Sequence, residues 1–128
     1  MPDIETTLTL NQDQVKPFTS REIEVNLEVK TSAAEPYWVE GVFDLQSPIS
    51  LAPDKSLPSG KTVLGILDKD NPRSKRIKLY TNSDTYPSRY KMKVTIYAYD
   101  RDGAISERRE YVKEIEVSES NAQILQGP

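Results

Sequence analysis

Ile23-Glu24-Val25-Asn26-Leu27-Glu28-Val29-Lys30 alternates without a break, apolar at each odd position and polar at each even one. Successive side chains of an extended strand point to opposite faces, so this stretch sets one row against a core and the other in water. Residues 90–99 repeat the pattern, with Tyr90, Met92, Val94, Ile96 and Ala98 on one face and Lys91, Lys93, Thr95, Tyr97 and Tyr99 on the other. Shorter matches run from Ile4 to Leu10, from Ile77 to Tyr80 and from Tyr111 to Val117. In the last, Val112 falls out of phase with Ile115 and Val117, which predicts a bulge near Lys113 and Glu114. No run of ten or more residues follows the spacing of an amphipathic helix, so no core helix is expected.

Turn chemistry fills the intervals: Lys16-Pro17, Ser47-Pro48, Ala52-Pro53, Leu57-Pro58-Ser59-Gly60, Asn71-Pro72, Tyr86-Pro87 and Asp102-Gly103. Short strands separated by such turns predict an all-β sandwich or barrel with antiparallel pairing. The water face of residues 22–28 carries Glu22, Glu24 and Glu28, and the segment before Tyr80 carries Arg73, Lys75, Arg76 and Lys78. Opposite charges facing across a ladder are favourable, so these two strands are expected to be neighbours. Residues 46–62 lack a pattern, and Pro48, Pro53 and Pro58 bar a central strand there, leaving an exposed edge or a working loop. The domain is expected to span residues 4–117, with 118–128 as a flexible tail or a join.

The chain has 128 residues, 36 % apolar and 29 % charged, which suits one domain with one core. Its net charge of −3 and pI near 5.1 offer no general attraction to nucleic acid or an anionic membrane. No stretch approaches the length of a membrane helix, and residues 1–20 lack the basic start and apolar run of a signal peptide, so a soluble domain is expected. Cysteine is absent, which excludes disulfides and thiolate metal sites and leaves the compartment open.

Tyr90-Lys-Met-Lys-Val-Thr-Ile-Tyr-Ala-Tyr-Asp-Arg-Asp-Gly103, followed by a charged strand ending at Val117, resembles the end of bacterial and archaeal immunoglobulin-like modules, the CARDB-like and fibronectin-III-like ones among them. Val15-Lys16-Pro17 before Ile23–Val29 resembles their first turn and second strand, and Leu64-Gly65-Ile66-Leu67 the segment leading into their fifth. The resemblance implies an immunoglobulin-like antiparallel β-sandwich of about seven strands. It also implies that the Tyr90 hydroxyl ties back to upstream backbone as a tyrosine corner, and it suggests a non-catalytic adhesive, spacer or appended role in a cell-surface or extracellular setting.

The chain contains neither histidine nor cysteine, which removes hydrolase triads, cysteine–histidine dyads and ordinary zinc and copper sites. None of its five glycines forms a phosphate-cradling pattern, so no cofactor is expected. Asp100-Arg101-Asp102-Gly103 and Asp68-Lys69-Asp70-Asn71 offer oxygens at alternate positions, as a calcium loop would, but neither completes the twelve-residue pattern, and a hairpin turn explains both. Arg73-Ser74-Lys75-Arg76-Ile77-Lys78 has the charge of a nucleic-acid patch, yet its interleaved apolar residues point to a strand face.

The aromatic residues are the strongest lead to function. In Tyr37–Leu45, the parity that hides Tyr37, Val39, Phe43 and Leu45 turns Trp38, Glu40, Val42 and Asp44 outward; the opposite parity would bury two carboxylates. In an immunoglobulin-like sandwich this strand neighbours the one bearing Tyr97 and Tyr99. Trp38, Glu40, Val42, Tyr97 and Tyr99 are therefore the candidate contact residues, for a protein partner, for self-association, or for a carbohydrate stacked on the rings with Glu40 or Asp44 accepting its hydroxyls. The rival expectation puts Trp38 in the core, turned inward by a bulge.

Overall fold

In the computed structural model, which describes residues 4–12 and 14–119, the alternating stretches form strands β1 (Ile4–Leu10), β2 (Gln14–Val15), β3 (Glu22–Thr31), β4 (Tyr37–Leu45), β5 (Ser59–Leu67), β6 (Arg73–Tyr80), β7 (Ser88–Tyr99) and β8 (Ile105–Val117). They make two sheets, one ordered β1-β3-β6 and the other β2-β8-β7-β4-β5. Among the described residues there is no helix. The architecture is the expected all-β sandwich, with eight strands rather than about seven.

The inward row of β3 is fully buried at Ile23, Val25, Leu27 and Val29, and that of β7 likewise at Tyr90, Met92, Val94, Ile96 and Ala98. Val39, Phe43, Leu67 and Leu79 complete the same cluster from β4, β5 and β6. Withdrawing each large aliphatic side chain from water contributes about 1.5–3 kcal/mol, so the period-two pattern is the main source of stability. The expected neighbourhood of β3 and β6 is present: Glu24 lies opposite Lys78 and Asn26 opposite Arg76. The ion pairs run diagonally, Lys78 to Glu22 at 3.8 Å and Arg76 to Glu24 at 3.9 Å.

Several expectations need correction. Pairing is antiparallel except for the two residues of β2, which run parallel to β8 at Glu116 and Val117. No bulge occurs at Lys113 and Glu114, which pair in register with Met92 and Lys91. Val112 is out of phase because it faces water on the outer side of the sheet. The β7–β8 register shifts instead at Ala98/Tyr99, where Ser106 is the extra residue, and the β4–β5 register shifts at Val39/Glu40, opposite Leu64 and Gly65. Gly65 adopts φ +99, which resets the phase of β5 and keeps both Leu64 and Leu67 inside. Leu64–Leu67 is thus the end of β5 rather than a segment leading into a strand.

Residues 46–58 form a loop, and β5 follows as an edge strand, so the exposed edge expected in the patternless stretch lies at its end. The loop is anchored by Ile49 and Ser50, both buried, and by paired backbone bonds between Ser50 and Tyr80 of 3.0 and 2.8 Å. The Tyr90 hydroxyl donates to the Tyr86 carbonyl at 2.7 Å, closing the tyrosine corner. Of the proposed tail, Ser118 continues the β2 contact by donating its N–H to the Val15 carbonyl at 3.0 Å, and residues 120–128 lie outside the described residues.

Candidate interaction surface

β4 adopts the parity that keeps its carboxylates out of the core. Val39 and Phe43 are buried, Asp44 is exposed, and Trp38 keeps 42 % of its surface in water. β4 pairs with β7 without irregularity, and the bulge opposite Val39/Glu40 lies on the β5 side, so nothing turns the indole inward. The core reading of Trp38 does not hold.

The registers place Trp38 directly opposite Tyr99 on one side and Ile66 on the other, and Tyr99 opposite Ile105. Directly opposed residues share a face, so Ile105, Tyr99, Trp38 and Ile66 form one apolar row across β8, β7, β4 and β5. Four strands at about 4.8 Å spacing make that row about 14 Å wide between its end strands. Beneath it run Arg108, Tyr97, Glu40 and Val63, and beneath those Glu110, Thr95, Val42 and Lys61. Tyr97 and Tyr99 stack with centroids 6.4 Å apart and planes 23° from parallel. The Arg108 guanidinium sits 5.8 Å from the Tyr97 ring centroid and pairs with Glu110. Its hydrogen bond to Tyr97, then its contacts with Glu110, hold it above its ordinary pKa.

Of the candidate residues, Trp38, Tyr97, Tyr99 and Glu40 come together, whereas Val42 lies a row lower among polar groups. Glu40 acts differently from expectation. Its Oε2 accepts the Trp38 indole N–H at 2.8 Å, and its Oε1 lies 3.5 Å from the Lys61 ammonium, so the carboxylate fixes the indole along the strand. Ile66, Val63 and Ile105 were not anticipated. Ile66 hides in Leu64-Gly65-Ile66-Leu67, whose alternation is broken by the glycine, and Ile105 stands among polar residues; a bulge glycine was the one available signal. A shallow depression of about 170 Å³ lies between Trp38, Ile66, Tyr99 and Pro36.

Among the described residues eight large apolar side chains are exposed, and five of them, Trp38, Val63, Ile66, Ile105 and Val112, belong to this one face. Scattered exposed apolar residues need no explanation, but their concentration on one sheet face does.

The two acidic turns follow β5 and β7 at the end of the sandwich marked by the Tyr37–Leu67 and Trp38–Tyr99 pairs. Each first aspartate is spent on its own turn. Asp100 Oδ1 accepts the N–H groups of Asp102 and Ala104 at 2.9 and 3.0 Å, and Gly103 takes φ +80. Asp68 Oδ1 accepts from the Asn71 side chain at 2.8 Å and the Asp70 N–H at 2.9 Å, and these bonds lower its pKa below the usual carboxylate value. Among the described residues no group of three or more acidic side chains is placed to hold a metal ion. Arg73–Lys78 lies in strand β6, whose Ile77 and Leu79 turn toward the core.

No family model and no curated protein matches the sequence. Among solved structures, a chain from the crystal structure of the complex between zinc 2-glycoprotein and prolactin inducible protein of human seminal plasma is similar over 88 % of this chain and 93 % of that one, with 17 % identity and a TM-score of 0.64. A β-glucosidase from Kluyveromyces marxianus matches over 88 % of this chain and 15 % of its own, at 16 % identity and a TM-score of 0.23, too slight a likeness to carry an argument. The fold is that of an immunoglobulin-like β-sandwich. On that fold this chain carries the apolar row across its five-stranded sheet.

Proposed function

We propose that this chain is a non-catalytic immunoglobulin-like binding module whose contact surface is the outer face of the β8-β7-β4-β5 sheet. The occupant is a protein, a partner or a second copy of the chain. The observation that carries this reading is the row Ile105–Tyr99–Trp38–Ile66, which keeps aromatic and aliphatic side chains half in water although no folding need places them there. Rigid aromatic residues flanked by charged pairs are the composition of contact surfaces. An adhesive, spacer or assembly role, of the kind served by CARDB-like and fibronectin-III-like modules, is the finer reading that the sequence resemblance implies.

Trp38 is the sole tryptophan, so its emission reports on the row directly. Size exclusion with light scattering at two concentrations tests self-association, beside a variant carrying Ile66→Asp and Ile105→Asp, which charges both ends of the row. Rising mass in the parent and a constant mass in the variant are expected. A strict monomer whose Trp38 emission is blue and resistant to quencher would remove the surface altogether.

Carbohydrate stacking on the tyrosine pair is the competing use of the same rings, favoured by their near-parallel planes. It is weakened by Glu40, whose oxygens already serve Trp38 and Lys61. Saturable binding on a glycan array, lost with Tyr99→Ala, would transfer the surface to that ligand class. The calcium reading has less support, since Asp68 and Asp100 are committed to their turns. The expected melting temperature is the same in millimolar calcium and in chelator, because a ligand at a hundred times its Kd would add about 2.7 kcal/mol and shift it visibly.

A further inference from the structure

β6 is an edge strand: it pairs with β3 on one side, and on the other, among the described residues, Tyr80 alone makes backbone bonds, two of them with Ser50. From Arg73 to Leu79 its outer backbone groups face away from the sheet. Across from this edge lies β5, the edge of the other sheet, and between them runs a groove of about 350 Å³ floored by Phe43, Leu51, Leu57 and Ile77. Past one end of it the Arg73 Nε donates to the Ile66 carbonyl of β5 at 2.6 Å; toward the other stands the loop held by the Ser50–Tyr80 bonds. The distance along β6 is about 23 Å, enough for an extended segment of about seven residues.

The charge of this edge is opposite to that of the molecule. The chain carries −3 in total, yet Lys61, Arg76 and Lys78 line the groove, and Arg73 and Lys75 continue the cationic edge beside it. Lys75 has no acidic partner within 4 Å among the described residues. The pairs of Arg76 and Lys78 with Glu24 and Glu22 are long, at 3.9 and 3.8 Å, and solvent-exposed, so they neutralise the edge only partly.

We propose that the β6 edge binds an acidic extended segment of a partner protein by strand addition. The segment continues the ladder that Ser50 begins at Tyr80. Its acidic side chains lie beside Arg76 and Lys78 on the outward face of β6, and its apolar ones enter the groove over Ile77 and Leu57. Main-chain bonds supply the register and the cations the preference for acidic sequences. This site is separate from the outer-face row, sharing with it only the Lys61 side chain.

The test uses the full chain and a dye-labelled, end-capped octapeptide of alternating glutamate and valine, with the lysine–valine counterpart as control. Fluorescence anisotropy is expected to give saturable binding of the acidic peptide with a Kd below about 1 mM, weakening as salt rises. Arg76→Glu with Lys78→Glu should weaken it at least about tenfold while circular dichroism stays unchanged. Hydrogen exchange of the β6 amides that face away from β3 should slow in the complex; should the double variant fail to fold, this exchange map on the parent decides alone. No saturation at millimolar peptide, equal binding of the lysine peptide, or protection confined to Trp38 and Tyr99 would each overturn the site. The last of these would leave the outer-face reading intact.

Discussion

Tyr90 joins the two jobs of a core aromatic residue with a polar tip. Its ring is 2 % exposed and lies edge-on to Tyr86, with centroids 6.1 Å apart, and its hydroxyl reaches the Tyr86 carbonyl at 2.7 Å. Tyr90→Phe keeps the ring and deletes the bond, so urea denaturation should show a loss of about 0.5–1.5 kcal/mol. Burial, then the neighbouring Tyr86, raises the Tyr90 pKa above its ordinary value, and the bond to Tyr86 offsets this only in part. A phenol that ionises more readily unfolded than folded stabilises the native state fully below the unfolded pKa of about 10. That contribution is lost as pH rises through the folded pKa. The gap in stability between parent and Tyr90→Phe should therefore narrow as pH rises past about 10, and a gap that widens would contradict the burial argument.

At the scale of the strand, Gly65 shows how one residue redirects an element. With φ +99 it lies where a side chain costs about 1–2 kcal/mol, although an added Cβ would meet nothing within 4 Å. Gly65→Ala should thus destabilise by about that amount through backbone strain alone, read as a fall in the denaturation midpoint; an unchanged midpoint would mean that β5 tolerates a shifted register. The same residue explains what the chain disclosed before its structure was known. β3 and β7 were legible because unbroken alternation has one reading, and the β3–β6 pairing because one strand carries glutamates on its water face and the other carries cations. Ile66 was not legible, since a positive-φ glycine changes which face follows without changing the composition. Val112 misled in the opposite sense: an apolar side chain that faces solvent imitates a bulge when every apolar residue is assumed to face inward. The parity of β4 was decided by the cost of burying Glu40 and Asp44, and that argument placed Trp38 correctly. The closing of Glu40 onto the indole depends on rotamers and on Lys61 from another strand, which no local pattern encodes.

For the molecule as a whole, the inner and outer faces of the five-stranded sheet should separate stability from contact. Ile66 and Leu67 are adjacent on one edge strand, but Leu67 is fully buried and Ile66 is 51 % exposed. Leu67→Ala opens a cavity where both sheets meet and should cost about 2–5 kcal/mol. Ile66→Ala removes methyl groups that are already half in water, so a loss of about 1 kcal/mol is expected. Association should follow the reverse order: in light scattering at a concentration where both variants remain folded, Ile66→Ala is the one that lowers the mass, because only its side chain reaches the apolar row. Trp38 emission gives the second readout, since shielding from quencher by a bound partner should fall with Ile66→Ala and stay at the parent level with Leu67→Ala. Equal stability losses at the two positions would place the outer row within the folding core, and the chain would then have no apolar surface reserved for a partner on this face.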